Sequence, residues 1–415
     1  MRRRSHPWGR PPWSIEFRPK KRALPERVDF AVIGAGFAGL SAAAWLARLA
    51  PGKSVVVFEG STLGSGASGR TGGIALADTA VGPLAGLGDV LAGYKKILRV
   101  LGVSSHVQLP GAYELAHFAS AGTRKNSPLR WSDSGELRAV GKVAGGGIDP
   151  GRVLSDLARA AQKAGAQILE HAEVLAISEA KRHGGFRKSN QNSRGANDIV
   201  ALRIRLTAGR RLRQKTLLAD QVLLATNAAS LHLSALRQFA EPKLTFALAT
   251  APLTPAQLRS SGLSSRCAFY TVDLPYLWGR VLEDRTVIFG AGLVPRPTSS
   301  HSPFTNSFRT RRSASGFGDL LRFDIRKGDA AQSFARLESR VRGLHRAFRD
   351  IRVTHRWGGP ILLTRDFRPV FRRHPRYKGV VVLAGFSGHG VALSVYLGRW
   401  AAEALLGRRP LPHWR

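Results

Sequence analysis

The chain has 415 residues, of which 43% are hydrophobic, so it is long enough to bury more than one core and has the composition of a globular protein. Its one cysteine, Cys267, excludes an internal disulfide and a cysteine-based metal cluster. Sixty-four Lys and Arg residues against 27 Asp and Glu residues give a net charge of +37, which points either to a polyanionic partner or to a biased composition.

The distribution of the positive charge decides between these two explanations only in part. Basic residues cluster at separate places, so they mark no single recognition helix. Arg usage tied to genomic base composition is the simpler explanation, and a polyanion-binding face is the alternative. The clusters lie at 2–4, 20–22, 181–194, 210–215, 309–312 and 372–376.

The N-terminal residues show no membrane or export signal. No apolar run reaches the roughly 18 residues that a membrane span requires. The N-terminus, M-R-R-R-S-H-P-W, is basic but lacks the apolar region of a signal peptide. We therefore expect a soluble, cytoplasmic protein. Residues 1–26 form an extension rich in Pro, Arg and Trp, which we expect to lie across the surface or to be partly disordered.

A strand–helix–strand unit follows this extension. A short apolar run predicts a buried strand over 30–33, and small residues predict a helix over 37–49. A second apolar run predicts a strand over 54–58. A unit of this order is typical of a Rossmann-like α/β domain with a parallel sheet.

Three glycines and one acid give this unit a nucleotide-binding pattern. Gly34 permits a tight turn, Gly36 lets backbone N–H groups approach a pyrophosphate, and Gly39 lets helix and strand pack closely. Glu59 follows the second strand, where a carboxylate accepts hydrogen bonds from ribose hydroxyls. The helix N-terminus adds partial positive charge for the phosphates. The sequence therefore predicts a dinucleotide site at this turn.

The next segment, 64–73, favours flavin over nicotinamide. A nicotinamide-binding unit would normally enter its next helix here, whereas this run reads G-S-G-A-S-G-R-T-G-G. Because Gly costs about 1 kcal/mol relative to Ala in a helix, we predict a loop. Such a loop suits a flat ring system, with Ser68 and Arg70 as hydrogen-bond donors; a flexible surface loop is the alternative.

A second glycine-rich turn occurs near the C-terminus. The pattern predicts a buried strand over 380–384, a turn over 385–390 and a helix over 391–406. The helix N-terminus carries free N–H groups and about half a positive charge, which suits an anionic reduced flavin ring. His389 is a candidate to donate a hydrogen bond or to tune the redox potential, and the alternative is that it fills the turn or caps the helix.

These segments together resemble the FAD-dependent D-amino-acid-oxidase superfamily, in particular its glycine-oxidase, sarcosine-oxidase and gamma-glutamylputrescine-oxidoreductase branch. The segments 149–174, 219–228 and 379–394 extend the resemblance over nearly the whole chain. The motifs G-A-S-G-R-T-G-G and G-F-S-G-H-G are most similar to the putrescine-oxidoreductase-like group. The resemblance implies a Rossmann-like FAD-binding domain and a second α+β substrate domain with a mainly antiparallel sheet, whose strands include 268–292.

The resemblance also implies a domain division and a set of cofactor residues. We expect non-covalent FAD, because the positions of the linking Cys and His of covalent relatives, within 358–363 and 60–79, hold neither residue. The FAD-binding domain is expected to comprise 27–82, 147–232 and 345–410, and the substrate domain 83–146 and 233–344, with polar inserts at 181–198 and 296–315. FAD binding is expected at Gly34, Ala35, Gly36, Phe37, Ala38, Gly39, Glu59, Gly60, Ser68, Gly69, Arg70, Thr71, Gly72, Gly73, Val174, Ala225, Thr226, Asn227, Gly358, Gly385, Gly388, His389, Gly390 and Val391.

The substrate-binding pattern departs from that of amino-acid oxidases. In those relatives a segment resembling R-P-x-T-x-D-G-x-P provides an Arg for the substrate carboxylate. The T-x-D-x-x-P part matches at 364–369, but the Arg position falls on Ile361. Arg280 and Arg356 are the remaining candidates for a carboxylate anchor. An amine, or a substrate whose carboxylate lies far from the reacting carbon, is therefore favoured.

Aromatic residues of the predicted sheet are candidates for the substrate wall. Rings around an amine hold it by cation–π attraction of about 0.5–2 kcal/mol each, and a core role is the alternative for any one of them. Asp273 and Asp284 are candidates to pair with a cationic substrate, with turn or surface roles as the alternative. The aromatic candidates are Tyr270, Tyr276, Trp278 and Trp357, and the residues assigned to catalysis are His389, Tyr270, Tyr276 and Trp278.

The predicted reaction is oxidation of a C–N bond in a small-molecule amine. Hydride passes from the α-carbon to flavin N5, and water hydrolyses the resulting imine. O₂ or another acceptor then takes the electrons. Three alternatives stay open: an amino-acid oxidase of the glycine-oxidase type, a non-catalytic FAD-binding scaffold, and a flavoprotein resembling the oxidase half of the tRNA wobble-uridine modification enzyme. The basic composition suits the tRNA alternative.

Overall fold

The computed structural model describes residues 6–118, 127–180, 199–209, 211–229, 231–293 and 323–414, so the inserts predicted at 181–198 and 296–315 lie outside the described residues. None of the described helices combines the length and hydropathy that crossing a bilayer requires. The helices are α1 (Phe37–Leu49), α2 (Ala67–Arg70), α3 (Val90–Leu101), α4 (Pro150–Lys163), α5 (Leu231–Ser234), α6 (Pro255–Ser260), α7 (Gly328–Leu344) and α8 (Gly390–Leu405).

The strands fall into two large sheets and a small one of three strands, β3, β8 and β4. They are β1 (Arg27–Ile33), β2 (Val55–Phe58), β3 (Ile74–Leu76), β4 (Val107–Gln108), β5 (Ala112–Phe118), β6 (Arg130–Ser132), β7 (Glu136–Val143), β8 (Gly145–Ile148), β9 (Gln167–Leu169), β10 (Ala172–Glu179), β11 (Val200–Ala208), β12 (Arg211–Leu224), β13 (Ala240–Thr250), β14 (Ala268–Thr271), β15 (Leu277–Val281), β16 (Val287–Leu293), β17 (Val353–Thr364), β18 (Val370–Arg373) and β19 (Val380–Ala384).

The first large sheet has a parallel centre. Strands β9, β2, β1, β12 and β19 lie side by side and parallel, and β18 adds an antiparallel edge. The first half of β12 leaves this centre and pairs antiparallel with β11, which pairs with β10. Strands β2 and β19 are buried along their whole length, as expected for parallel strands covered by helices. The predicted strands and helices of both glycine-rich units are confirmed.

Helix α1 packs between α4 and α8 on this sheet. The approach of α8 to α1 is close, because a Cβ at Gly398 would lie 2.5 Å from the carbonyl oxygen of Ala38. The hydroxyl of Ser41 donates to the carbonyl oxygen of Val395 at 2.7 Å across the same contact. The two helices that begin at the glycine-rich turns are therefore held side by side, with their N-termini at one edge of the sheet.

The second large sheet has the order β17-β13-β16-β15-β14-β5-β7-β6 and is antiparallel except where β14 meets β5. Helix α7 packs on β13, β16 and β6. An aromatic cluster with edge-on and tilted ring contacts packs beneath the sheet and is formed by Trp131, Phe269, Phe289 and Phe348. The prediction of a mainly antiparallel sheet that includes 268–292 is confirmed, and the segment contributes three strands.

Three expectations need correction. Strand β17, which lies within the 345–410 segment assigned to the FAD-binding domain, pairs along its length with β13 of the second sheet; the rest of the domain division stays a prediction. The loop predicted over 64–73 contains the single helical turn α2, because its Ala–Ser–Gly–Arg core is held by tertiary hydrogen bonds that outweigh propensity. The N-terminal extension does not simply lie across the surface, since Trp8 is 1% exposed.

Candidate active site

A cavity of ≈ 460 Å³ lies between the N-termini of α1 and α8 and the face of the second sheet. The structure brings together many of the residues predicted from separate motifs. Predicted residues that line the cavity are Gly36, Phe37, Ala38, Ser68, Arg70, Thr71, Gly72, Ala225, Asn227, Tyr270, Tyr276, Trp278, Gly388, His389, Gly390 and Val391. Predicted residues outside the lining are Gly34, Ala35, Gly39, Glu59, Gly60, Gly69, Gly73, Val174, Thr226, Gly358 and Gly385.

The turn before α1 leaves no room for side chains. Gly34 has φ +105°, and a Cβ there would lie 2.7 Å from the carbonyl oxygen of Ala225. A Cβ at Gly36 would lie 2.8 Å from Oγ of Ser68, and one at Gly39 would lie 1.9 Å from the carbonyl oxygen of Gly34. A different close contact therefore excludes a side chain at each of the three glycines. Of the three, Gly36 is the one that lines the cavity.

Glu59 lies at the end of β2 beside this turn. Its carboxylate accepts hydrogen bonds from the backbone N–H groups of Ala35 at 3.2 Å and Ser61 at 3.0 Å. Burial raises the pKa of Glu59, while these N–H donors oppose the shift. Gly60 packs against Glu173 of β10, next to the buried Val174. These residues form a group of their own, further along the sheet edge from the cavity.

The turn before α8 mirrors the turn before α1. Gly385 has φ +70°, and its N–H donates to Oδ1 of Asn227 at 2.9 Å. Helix α8 begins at Gly390, and its N-cap residue His389 makes no side-chain cap. The alternative that the side chain of His389 caps the helix is therefore wrong, and the ring lines the cavity. Nδ1 of His389 lies 3.4 Å from the carbonyl oxygen of Ser387. Because a carbonyl oxygen can only accept a hydrogen bond, Nδ1 is the protonated nitrogen of the neutral ring and Nε2 carries the lone pair.

Arg70 is a buried cation held by carbonyl groups. Its Nη1 donates to the carbonyl oxygens of Gly9 at 3.1 Å and Gly358 at 3.0 Å, and its Nε donates to that of Ser65 at 3.3 Å. Burial lowers the pKa of Arg70 to about 10, so it stays charged at neutral pH. The side chain lines the cavity, but its N–H groups donate to backbone carbonyl groups. The sequence predicts instead that these N–H groups reach the flat ring system of the cofactor.

The opposite wall is formed by the second sheet. The hydroxyl of Tyr270 donates to Oε1 of Glu114 at 3.0 Å, and burial together with this bond raises the pKa of Tyr270. The ring of Trp278 fits between Gly72 and Gly290, where added Cβ atoms would lie 2.1 and 2.0 Å from it. Burial also raises the pKa of Tyr276. The wall therefore presents neutral phenols and an indole.

Asp273 brings negative charge to this wall through a network of ion pairs. Nδ1 of His117 lies 2.7 Å from Oδ1 of Asp273, and Nε2 lies 2.8 Å from Oδ2 of Asp133. Arg340 of α7 binds Asp133 and donates to the carbonyl oxygen of Tyr276 at 2.9 Å. Burial works against ionisation of His117, but the hydrogen bonds with Asp133 and Asp273 raise its pKa overall. The network thus fixes the turn between β14 and β15.

Several substrate-side candidates lie elsewhere. Trp357 is 1% exposed, lies outside the lining and donates its Nε1–H to the carbonyl oxygen of Arg70, so for this candidate the alternative of a core role holds. Arg280 donates to the carbonyl oxygen of Gly72, Arg356 pairs with Glu338, and neither lines the cavity. Asp284 accepts from the N–H of Thr286 within a turn. Ile361 does line the cavity.

Sequence reasoning missed an apolar rim and two polar partners. Val272 and Leu274 line the cavity and are 55% and 58% exposed, and Phe367 lines it with 42% exposed. Apolar residues in a turn, V-D-L-P, were the available signal for the first two. Glu114 and His117 carry no local signal, because each meets its partner 156 residues away.

Comparison with known proteins settles the family. The DAO family, described as FAD dependent oxidoreductase, matches residues 29–404. The chain belongs to this family. Its resemblance, fold and enzyme class, predicted from the motifs, are confirmed, and the protein is an FAD-dependent oxidoreductase.

Individual relatives are more distant. The probable oxidoreductase OrdL of Haemophilus influenzae is 25% identical over 425 residues, covering 92% of this chain and 84% of that protein. The crystal structure of glycine oxidase from Geobacillus kaustophilus has a TM-score of 0.61 at 20% identity and covers 93% of this chain and 96% of that one. L-Amino acid deaminase from Proteus myxofaciens has a TM-score of 0.64 at 16% identity, with coverage of 97% and 94%. Both structural likenesses show the fold alone.

The residues present fit the cofactor of the DAO family. Helices α1 and α8, of 13 and 16 residues, both begin at the cavity, and neither N-cap residue makes a side-chain cap. In α1 the N–H of Phe37 donates to Oγ of Ser68, so the later N–H groups of its first turn are the ones left for a ligand. Gly36 leaves a gap beside Ser68 that a Cβ would fill. Arg70 is a cation in the described lining of the cavity, and backbone carbonyl groups accept its hydrogen bonds and hold it there. This combination suits an anionic cofactor of dinucleotide length.

Proposed function

We propose that this DAO-family enzyme binds FAD non-covalently along the α1 and α8 N-termini and oxidises the C–N bond of an amine that has no carboxylate beside the reacting carbon. The observation that carries the proposal is the composition of the substrate wall. Ile361 occupies the cavity where the resemblance places a carboxylate-binding Arg, while Asp273 faces the same cavity. A cationic amine is complementary to this wall, and an α-carboxylate is not.

FAD, when bound, would supply the hydride acceptor for the oxidation. The chain's own residues would hold FAD and offset its negative charge. The first-turn N–H groups of α1 that follow Phe37 would suit the pyrophosphate, and Glu59 would suit a ribose hydroxyl. The N-terminus of α8 at Gly390 suits the ring edge that becomes negative. Non-covalent binding is supported by the position of Cys267, which is buried on the second sheet with Sγ 3.6 Å from the carbonyl oxygen of Pro110.

The substrate side supplies a cation site and a proton acceptor. Tyr270 offers a π face for an ammonium group, worth about 0.5–2 kcal/mol, and Trp278, packed between Gly72 and Gly290, forms the wall beside it. Asp273 adds a carboxylate, which His117 holds in place. Burial lowers the pKa of His389, so its ring is neutral at pH 7, and Nε2 is free to accept a proton from the bound ammonium. Loss of that proton leaves the amine lone pair that the oxidation requires.

The first test is an anaerobic titration of the flavin absorbance band with three classes of compound. Putrescine and other polyamines represent cationic amines, N-methylated amines represent secondary amines, and glycine and sarcosine represent α-amino acids. We expect bleaching with amines and none with α-amino acids. Bleaching by glycine or sarcosine alone would replace the proposal with an amino-acid oxidase of the glycine-oxidase type, and re-oxidation under air would then test O₂ as acceptor.

Two variants sharpen this test. Ile361→Arg is expected to lower the KM for an α-amino acid and to raise the KM for the amine, because it places a guanidinium beside the reacting carbon. Ile361→Leu conserves volume and serves as the control, with both KM values unchanged. Asp273→Asn is expected to raise the KM for a diamine more than it lowers kcat. Equal KM values in Asp273→Asn and wild type would remove the carboxylate from the proposal.

The tRNA alternative retains one supporting observation. Arg211, Arg213 and Lys215 are exposed along the same strand, β12, and belong to a chain of net charge +37. Retention on immobilised tRNA should then fall steeply and linearly in log–log form with salt. If every small amine fails to bleach the flavin and tRNA retention is steep, a macromolecular substrate replaces the small amine.

A further inference from the structure

Residues 6–17, which we name the N-terminal strap, connect the two halves of the protein. At one end Trp8 is buried in the core of the second sheet, and its carbonyl oxygen accepts from the N–H of Gly358 at 2.7 Å. At the other end Phe17 is buried among α1 and α4 residues, and its N–H donates to Oγ of Ser155 at 3.4 Å. Between these anchors the strap passes over segment 64–73.

The middle of the strap packs against two glycines, Gly64 and Gly151. A Cβ at Gly64 would lie 1.8 Å from Cδ1 of Ile15, and a Cβ at Gly151 would lie 2.1 Å from the carbonyl oxygen of Ser14. Gly64 is the first residue of segment 64–73, which we name the cofactor loop, and Gly151 lies in the first turn of α4. The strap is therefore packed directly on the backbone of the cofactor loop, at a distance that a larger residue would not allow.

Two indoles hold the C-terminal end of α2. The Nε1–H of Trp13 donates to the carbonyl oxygen of Gly69 at 2.8 Å, and that of Trp357 donates to the carbonyl oxygen of Arg70 at 3.0 Å. The two rings meet edge to face, with centroids 5.5 Å apart. These donors satisfy carbonyl groups that a helix end leaves without partners. The strap residue Trp13 thus fixes one end of a four-residue helical turn.

The other end of the same turn reaches the cofactor site. Oγ of Ser68 accepts from the N–H of Phe37 at 3.0 Å, at the first residue of α1. Arg70, the last residue of α2, forms a second link to the strap, because its guanidinium donates to the carbonyl oxygen of Gly9. A path of hydrogen bonds therefore runs from the strap through α2 to the α1 N-terminus.

We infer that the N-terminal strap is a positioning element of the cofactor site, in which Trp13 fixes segment 64–73 in the conformation that receives FAD. A turn of four residues is too short to be stable alone, so its geometry depends on the groups that hold its ends. Holding it before the ligand arrives removes part of the ordering cost of binding. The inference rests on the proposed placement of FAD beside α1 and α2.

The test compares FAD release from diluted holoenzyme, followed by flavin fluorescence, in matched Trp variants. Trp13→Phe keeps an aromatic ring but removes the pyrrole part of the indole with its N–H donor. Trp131→Phe makes the same change in the second sheet, where Nε1 donates to the carbonyl oxygen of Ser261 at 3.0 Å. We expect Trp13→Phe to release FAD about two- to tenfold faster than wild type, the range for one hydrogen bond, and Trp131→Phe to match wild type. Amide hydrogen exchange in 64–73 should rise in Trp13→Phe alone.

Two further variants keep the outcomes distinct. Ile15→Ala removes the contact with Gly64 without touching an indole, and it replaces Trp13→Phe if that protein does not fold. Glu59→Ala reports on the placement of FAD itself. If Glu59→Ala speeds release while Trp13→Phe and Ile15→Ala behave like Trp131→Phe, the strap only ties the two sheets together and the inference is wrong. If Glu59→Ala also leaves release unchanged, the proposed FAD placement fails and the inference falls with it.

Discussion

Replacing Gly39 with Ala places one methyl group against a fixed backbone. The added Cβ would lie 1.9 Å from the carbonyl oxygen of Gly34 and 3.2 Å from Cγ1 of Val32. The carbonyl cannot rotate away, because Gly34 is itself held at φ +105° against Ala225. Restoring ordinary contact between carbon and oxygen therefore requires α1 to retreat by about 1.5 Å.

The cost of this retreat divides between stability and cofactor affinity. Ala gains about 1 kcal/mol over Gly in helix propensity, while overpacking costs about 1–3 kcal/mol, so we expect a net loss of stability of up to about 2 kcal/mol. The N–H groups of the first turn of α1 move with the helix. Loss of one hydrogen bond to a charged phosphate, about 1.5–3 kcal/mol, would raise the Kd for FAD by about ten- to a hundredfold.

The assay titrates FAD-free protein with FAD and measures thermal unfolding of the same samples. Gly343→Ala is the control, because a Cβ at Gly343 in α7 meets no atom of the described residues within 4 Å. It carries the propensity gain without the clash, so it should keep the Kd of wild type and unfold at the same or a higher temperature. If Gly39→Ala keeps the Kd of wild type and gains stability as the control does, close helix–strand packing is not the reason for glycine at this position.

Three further predictions concern the two walls of the cavity. Glu59→Ala should weaken FAD binding by about 1–3 kcal/mol, the scale of a hydrogen bond to a charged group, and an unchanged Kd would refute the ribose assignment. Because the pKa of His117 is raised above 6.5, its ion pairs stabilise the folded protein fully below pH 6.5 and are lost as pH rises through the raised pKa. The difference in unfolding free energy between wild type and His117→Gln should therefore be largest at acidic pH, and a difference that grows with pH would contradict the network. Gly290→Ala places a Cβ 2.0 Å from the ring of Trp278 and should raise the KM for the amine while the Kd for FAD stays unchanged; the reverse pattern would assign this ring to the cofactor.

The nucleotide-binding half could be predicted from the sequence because its signals are local. The helix predicted over 37–49 matches α1, and the predicted strands 30–33 and 54–58 match β1 and β2 within a few residues. The conformations required at Gly34 and Gly385 exclude most side chains, so the glycines themselves report the turns. The same reasoning located His389 at a helix start, although it could not say that the ring would leave the helix uncapped.

The substrate half could not be predicted in the same way, because its contacts are distant in sequence. Asp273 meets His117 across 156 residues, and β17 pairs with β13 across more than 100, so neither arrangement leaves a mark within one window of sequence. Aromatic composition did not distinguish Trp278, which lines the cavity, from Trp357, which caps α2. Proline and arginine in the N-terminal extension suggested a surface segment. The extension instead packs against Gly64 and Gly151, which lie far from it in sequence.

The net charge of +37 and the proposed cationic substrate are compatible only if local charge decides binding. A uniformly basic surface would repel an ammonium group, but at physiological salt the repulsion from exposed charges fades over a Debye length of about 8 Å. Within that distance the cavity presents Asp273 in its lining and Glu114 bound to Tyr270, and Asp78 lies close enough to act electrostatically on both Tyr270 and His389. The cation in the lining, Arg70, is held by carbonyl groups on the cofactor side. In the proposed arrangement, positive charge lies on the side of the anionic cofactor and negative charge on the side of the amine, which is the separation that the proposed reaction requires.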